Sequence, residues 1–197
     1  MRKITAILSI FVLAISSILL VSCSNSSDSQ GITLKEKKVV LKDNDFLREN
    51  LPRAFTEQYD KVEDATIYGS PIWSKKESGI CPIVMTLGEE STGVIYFKYA
   101  GTDWIFMDKI TIKTDNNKYD LNLTGHKIET DVKDRPDIYV VERVYFDITP
   151  EMYDILKDAS DSQDTIIRFE GKKYSDLELT YDNKRLLRVF LSCLEKE

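Results

Sequence analysis

The sequence predicts an α+β domain, mainly antiparallel sheet made of a meander and hairpins, with two helices packed on it near the C-terminus. Three observations predict it. Val94 to Ala100 is a dense apolar run, and apolar residues share one parity along Trp104 to Lys113 and Ile138 to Ile148, the period of two that half-buried strands need. Turn-forming residues interrupt these runs at short intervals, among them Gly101-Thr102-Asp103, Asp115-Asn116-Asn117 and Gly171-Lys172. Two late segments, near 150–159 and 182–194, change to the helical period of 3.6. Strand, helix, hairpin, helix is an α+β order.

Taken along the chain, Val39-Val40-Leu41 is a short strand, and Asp45 to Tyr59 is a helix interrupted by Pro52, whose ring cannot sit in a helix interior. Gly88-Glu89-Glu90-Ser91-Thr92-Gly93 is a hairpin loop with glycines at its corners. Val94 to Ala100 and Trp104 to Lys113 are then successive strands, the second placing Trp104, Phe106, Ile110 and Ile112 on one buried face. With Tyr119 to Leu123 as the third, they form a three-stranded meander, closed by an Asp-Asn-Asn turn whose residues tolerate left-handed backbone.

Ile138 to Ile148 is a long strand with Ile138, Val140, Val144, Phe146 and Ile148 on one face. Glu142 falls on that face, where a lone charge is costly, so either a bulge re-aims it or an arginine meets it. Thr149-Pro150-Glu151 starts a helix: a capping hydroxyl, a proline where no N–H is needed, and an acid favoured by the helix dipole. Met152, Ile155, Leu156 and Ala159 form its apolar face. Asp164 to Glu170, with Ile167 and Phe169 inward, pairs with Lys173 to Leu179, and a last helix from about Asp182 to Leu194 carries the stripe Leu187, Phe190, Leu191, Leu194.

The N-terminus has a different character. Arg2 and Lys3 precede an apolar run from Ile4 to Val21, and Leu20-Val21-Ser22-Cys23 leads into a polar Ser/Asn/Asp stretch. This pattern resembles the signal peptide and lipobox of a bacterial lipoprotein. The resemblance covers residues 1–24 and implies cleavage before Cys23, a diacylglycerol on its sulfur and, as a rule, an acylated new amino terminus. Two or more acyl chains, at about 0.8 kcal/mol per buried CH₂, hold a domain on a membrane without crossing it. Residues 1–22 are then signal, 23–31 the lipidated cysteine and a flexible tether, and 32–197 a single globular domain. Ser24 in place of Asp resembles members of the class sent on to an outer membrane, in a host that has one.

The anchored chain keeps 25 basic residues against 33 acids, a net charge near −8, which disfavours nucleic acid and an anionic lipid surface as partners. With Cys23 used, Cys81 and Cys193 are left as a candidate disulfide in an oxidising compartment, the alternative being two buried thiols. The sole histidine, His126, lies in Thr124-Gly125-His126-Lys127 and reads as a solvated loop residue, with no nucleophile elbow near it in sequence. The glycine spacing 88–93 imitates a phosphate loop, but Val94-Ile95 stands where Lys and Ser/Thr are required. Asp115 to Asp120 offers oxygens at alternate positions without the sixth-position glycine or twelfth-position glutamate of a calcium loop, and Asp158, Asp161 and Asp164 fit a solvated loop equally well. No metal or cofactor is expected on these grounds.

The one feature suggestive of function is the aromatic density from Tyr96 to Phe106, from which Tyr96, Tyr99 and Trp104 are drawn as a candidate binding patch for a protein or sugar ligand. The expectation is therefore a non-catalytic binding module of the bacterial envelope, held to the membrane through lipid on Cys23. A carboxylate-dependent hydrolase and an inhibitor or immunity-type lipoprotein are its rivals. Cys23→Ala should abolish incorporation of labelled palmitate and leave an uncleaved precursor. A variant still cut at the same place and bound to membrane would refute the lipobox reading.

Overall fold

The computed structural model describes residues 38–133 and 139–197, apart from the side chains of residues 73 and 74. The expected signal, lipidated cysteine and tether, and Ile138, lie outside the described residues. The elements in chain order are β1 (Val39–Leu41), α1 (Asn44–Asn50), β2 (Thr56–Asp60), β3 (Ala65–Gly69), β4 (Gly79–Leu87), β5 (Glu90–Gly101), β6 (Lys109–Lys113), β7 (Lys118–Asn122), β8 (Glu129–Lys133), β9 (Tyr139–Asp147), α2 (Pro150–Asp161), β10 (Ile166–Glu170), β11 (Tyr174–Glu178), α3 (Tyr181–Ser192) and β12 (Leu194–Lys196). The pairing is antiparallel throughout these strands, so the predicted α+β class with two C-terminal helices is the fold observed.

A six-stranded sheet has the order β2-β3-β4-β5-β9-β8 and a four-stranded sheet the order β11-β10-β6-β7. Consecutive pairing from β2 to β5 is the meander of this fold. It ends at β5, the strand at which the sequence places the start of the meander. The long central strands β4 and β5 meet through a tight turn, Leu87 pairing with Glu90 across Gly88-Glu89, and Gly88 takes a φ of 59° there. That positive φ is why glycine fits the corner. Every residue of β4 from Gly79 to Thr86 is buried, as expected of a central strand covered on both faces, and such a strand shows no alternation in sequence.

The expected pairing of Val94–Ala100 with Trp104–Lys113 does not occur. β5 pairs with β4 and β9, whereas Lys109–Lys113 pairs with β10 and β7 in the other sheet. Residues 102–108 are thus a crossover between sheets, and only the β6–β7 hairpin of the proposed three-strand unit stands. The parity rule holds where there is a strand: Ile110 and Ile112 are fully buried. It fails at Phe106, which is 57% exposed, because the backbone there is not extended.

The core lies between the sheets and the two long helices. Ile95, Phe97 and Tyr99 of β5, Val140 and Val144 of β9, Ile110 and Ile112 of β6, and Ile167 and Phe169 of β10 belong to one apolar cluster with Met152, Ile155, Leu156 and Ala159 of α2 and Leu186, Leu187, Phe190 and Leu191 of α3. The Tyr99 and Phe169 rings, 6.3 Å apart, join the sheets directly. Both helices begin as their sequences require. The Thr149 hydroxyl accepts from the Met152 N–H, and Thr180 with Asn183 forms a reciprocal capping box, which moves the start of α3 slightly N-terminal of the expected position.

The predicted strand at Val39–Leu41 exists, and its partner is β12, a C-terminal strand whose first residue, Leu194, the sequence places at the end of the last helix. Leu41 packs with Phe190 over Gly93, near the start of β5, while Asn44 at the head of α1 donates to the Gly88 carbonyl at 2.8 Å. Lys38 and Glu197 exchange backbone hydrogen bonds, so this end of the domain holds both the first described residue and the C-terminus. Between β1 and β2, the expected interrupted helix is the short α1, a 3-10 turn through Pro52 and then a strand.

Cys81 and Cys193 are free and buried, so the candidate disulfide is not formed. Cys193 belongs to the core cluster, whereas Cys81 pairs with Tyr96 on the face of the six-stranded sheet opposite Ile80, Val84 and Phe97. The sheet itself keeps the two sulfurs apart. Leu187→Asp should leave the chain unfolded, because an unpaired charge at this fully buried site costs several kcal/mol against a total stability of about 5–15 kcal/mol. Circular dichroism melting checks this, and a wild-type melting curve would refute the assigned helix face.

Candidate functional site

Glu142 is the most consequential side chain in the structure. It sits in the middle of β9, opposite Tyr99 of β5, and is 1% exposed on the core face. Neither a bulge nor an arginine relieves it, contrary to the sequence-based expectation. Its carboxylate instead accepts three consecutive backbone N–H groups of the crossover, from Ile105 at 2.7 Å, Phe106 at 3.0 Å and Met107 at 2.6 Å. Successive amides converging on one anion form a concave cradle, which needs a residue of left-handed conformation in the run. Phe106 supplies it, with a φ of 55°.

A bulky non-glycine residue at positive φ is strained and persists only where the surroundings over-determine it. Here they do. Ile105 and Met107 on either side are buried at 2% and 4%. The Lys172 N–H donates to the Ile105 carbonyl at 2.8 Å, and the Asp108 N–H donates to the Glu170 carbonyl at 2.9 Å. Gly171 lies so close that a Cβ there would meet the carbonyl oxygens of Ile105 and Phe106 at 2.3 Å, so this position requires glycine. The net effect is a fixed segment that turns Phe106 outward.

Beside this segment, the hairpin formed by β10 and β11 carries cations and a second exposed ring. The Lys172 ammonium lies 4.3 Å from the Phe106 ring centroid, and the Arg168 guanidinium lies 4.6 Å from that of Tyr174, which is 68% exposed. Arg168 also makes a two-pronged bond to Asp176 at 2.7 Å, which holds its guanidinium even further into the charged form. Lys173 pairs with Asp103, whose carboxyl is drawn below its ordinary range chiefly by the hydrogen bond from that lysine. Trp104 is half-buried beside them.

The candidate patch named from sequence therefore divides. Tyr96 is fully buried and Tyr99 is 7% exposed, its hydroxyl donating to the Asp103 carbonyl at 2.9 Å, so both are packing residues. Trp104 alone keeps partial access, and the exposed ring is Phe106, which the sequence had placed in the core. Sequence offered one signal toward the true arrangement, the misplaced charge of Glu142. Tyr174 gave none beyond being an aromatic next to a turn.

Other chemistry weighed in the sequence resolves into structure. His126 is exposed, and its ring lies tilted against that of Phe146 with centroids 4.6 Å apart. Asp115 accepts the N–H groups of Asp164 at 2.9 Å and Gln163 at 2.6 Å, which lowers its pKa, and Asp158 accepts from Thr114 at 2.7 Å, Tyr119 at 2.9 Å and Asn117 at 3.1 Å. The two acidic runs thus fasten the end of α2 and the β6–β7 turn. Among the described residues no group of three His, Cys, Asp or Glu side chains is placed to hold a metal ion. A cleft of about 710 Å³ between the 71–78 segment and the start of α3 mixes Lys75, Lys76 and Arg185 with Glu77 and Asp182, and none of the exposed aromatics lines it.

On the opposite face of β5, Lys98 is 1% exposed and its ammonium donates to the carbonyls of Ile72, at 3.0 Å, and Lys75. Burial lowers its pKa to about 8, partly offset by Cys81, whose own thiol burial pushes up to about 12. No protein-family model, curated protein or solved structure matches the chain. Among the described residues no helix is long and apolar enough to cross a membrane.

The pH dependence of stability follows from these shifts. Lys98 titrates near 8 when folded against 10.5 when unfolded, so between those values the unfolded chain binds more protons and this residue's contribution to stability rises with pH. Cys81 acts in reverse, its contribution falling from 9.0 upward toward about 12. Urea unfolding from pH 7 to 9 should show the rise in wild type and lose it in Lys98→Met. Glu142→Ala should destabilise by more than about 3 kcal/mol, since each orphaned buried N–H costs about 1–3 kcal/mol, with Glu142→Gln intermediate. Equal midpoints for wild type and Glu142→Ala in the same urea titrations would contradict the assignment.

Proposed function

We propose that this chain is a non-catalytic binding module of the bacterial envelope, anchored to the membrane through lipid on Cys23, with its contact surface centred on Phe106. The observation that carries the reading is the fixed outward ring: a strained bulky residue, exposed, whose backbone N–H, with those of its two neighbours, is held by a buried carboxylate. Strain at such a position is kept where it serves recognition or catalysis. An aromatic side chain pre-organised in this way loses little freedom on binding, which is the character of an interface anchor.

The same rigidity favours, as a second reading, an inhibitor or immunity-type lipoprotein, since a fixed segment presenting one ring suits insertion into a partner's site. A hydrolase is supported less well. The cleft of about 710 Å³ brings together charges of both signs instead of convergent carboxylates, and the only histidine lies against a ring away from it.

Capture of a partner from envelope extract by the delipidated domain should weaken by more than about 1 kcal/mol in Phe106→Ala and stay unchanged in His126→Ala. Binding isotherms for the recovered partner, run beside a broad hydrolase screen, provide the check. Turnover that disappears on removing a single acid, with no partner recovered, would favour the hydrolase.

A further inference from the structure

We infer that the Phe106 surface fits a folded protein that presents an apolar pocket with a carboxylate at its rim. The inference rests on the binding-module reading and deepens it.

The partner's shape follows from how the rings are displayed. A sugar is held by stacking on a free aromatic face. Phe106 has Lys172 over one face at 4.3 Å and Tyr174 has Arg168 over one face at 4.6 Å, so on each of these rings a cation already takes one of the two faces a pyranose could use. Phe106 stands between two buried neighbours, Ile105 and Met107, as a single ring and not as part of a platform. A lone ring on a fixed backbone buries most area by entering a pocket, where hot-spot aromatics are commonly found.

The partner's charge follows from what travels with the ring. Lys172 lies against Phe106, whereas its chain neighbour Lys173 is already paired with Asp103. Lys172 is therefore the cation left at the ring for a partner's carboxylate, and such pairs set orientation and on-rate.

The test uses the full lipidated chain in cells, with a photo-reactive benzoyl-phenylalanine in place of Phe106 and, as control, in place of Tyr59, which is 55% exposed on the edge strand β2. The expected result is a protease-sensitive polypeptide adduct at 106 and not at 59, reduced about tenfold or more by Lys172→Glu and weakened by added salt. A glycan or lipid adduct overturns the proposal, as does a polypeptide adduct indifferent to Lys172→Glu, or labelling at 106 no stronger than at 59. Partner capture that persists in Phe106→Ala defeats this surface and leaves the binding module standing. Absence of both capture and adduct defeats the module itself.

Discussion

The fold turns on one buried carboxylate. Glu142 points from the six-stranded sheet into the core, where an ion without partners would cost several kcal/mol, and among the described residues its hydrogen-bond partners are three amides of the segment that leads into the other sheet. Those amides are in turn unavailable to a strand partner. A β5–β6 hairpin would need them for its ladder, so satisfying Glu142 and extending the meander exclude one another. The chain takes the first course, and the two sheets, their shared core and the exposed Phe106 follow from it.

Lys98 is the counterpart of opposite sign. In the β5–β9 register Lys98 lies across from Arg143 and Tyr99 across from Glu142, so the buried cation and the buried anion occupy adjacent positions on opposite faces of the same strand pair. One takes carbonyls from residues 72 and 75, the other amides from 105–107. Each fixes an irregular segment that a sheet alone leaves unsupported. A backbone group paired with a buried charge is a stronger tether than one paired with water, because the alternative leaves the charge uncompensated. Irregular chain at this end of the sheet is therefore as constrained as the strands it joins.

Much of the fold was legible because local signals agreed with global ones. Thr149-Pro150-Glu151 opened a helix, Ile167 and Phe169 faced inward, and Gly88 marked a turn, each by a rule that needs only neighbours in sequence. The errors share a cause. Gly101-Thr102-Asp103 has the residues of a hairpin turn, and Trp104 and Phe106 have the parity of Ile110 and Ile112, so nothing within twenty residues distinguishes a crossover from a meander. The deciding partner, Glu142, is more than thirty residues away. β12 was hidden likewise: Leu194 completes a helical stripe in sequence, and only pairing with Val39–Leu41 at the other end of the chain makes it a strand. For the candidate site, Trp104 was found with the correct neighbourhood, but Tyr96 and Tyr99 were not separable from core by composition.

Phe106 also shows why burial patterns mislead at functional positions. An aromatic among Ile, Met and Trp is expected to be core, and its neighbours Ile105 and Met107 are. Exposure of the ring between them requires that the backbone reverse its local hand at that residue, a conformation with an intrinsic cost for phenylalanine and none for glycine. Packing alone gives no reason for phenylalanine here, since its ring contributes little to the core and its cation contact with Lys172 lies at the surface. Stability would be better served by glycine at this φ. The presence of a large apolar ring in its place, over a carboxylate cradle and against a glycine that leaves no room for a side chain, is the physical basis for reading this segment as a display element.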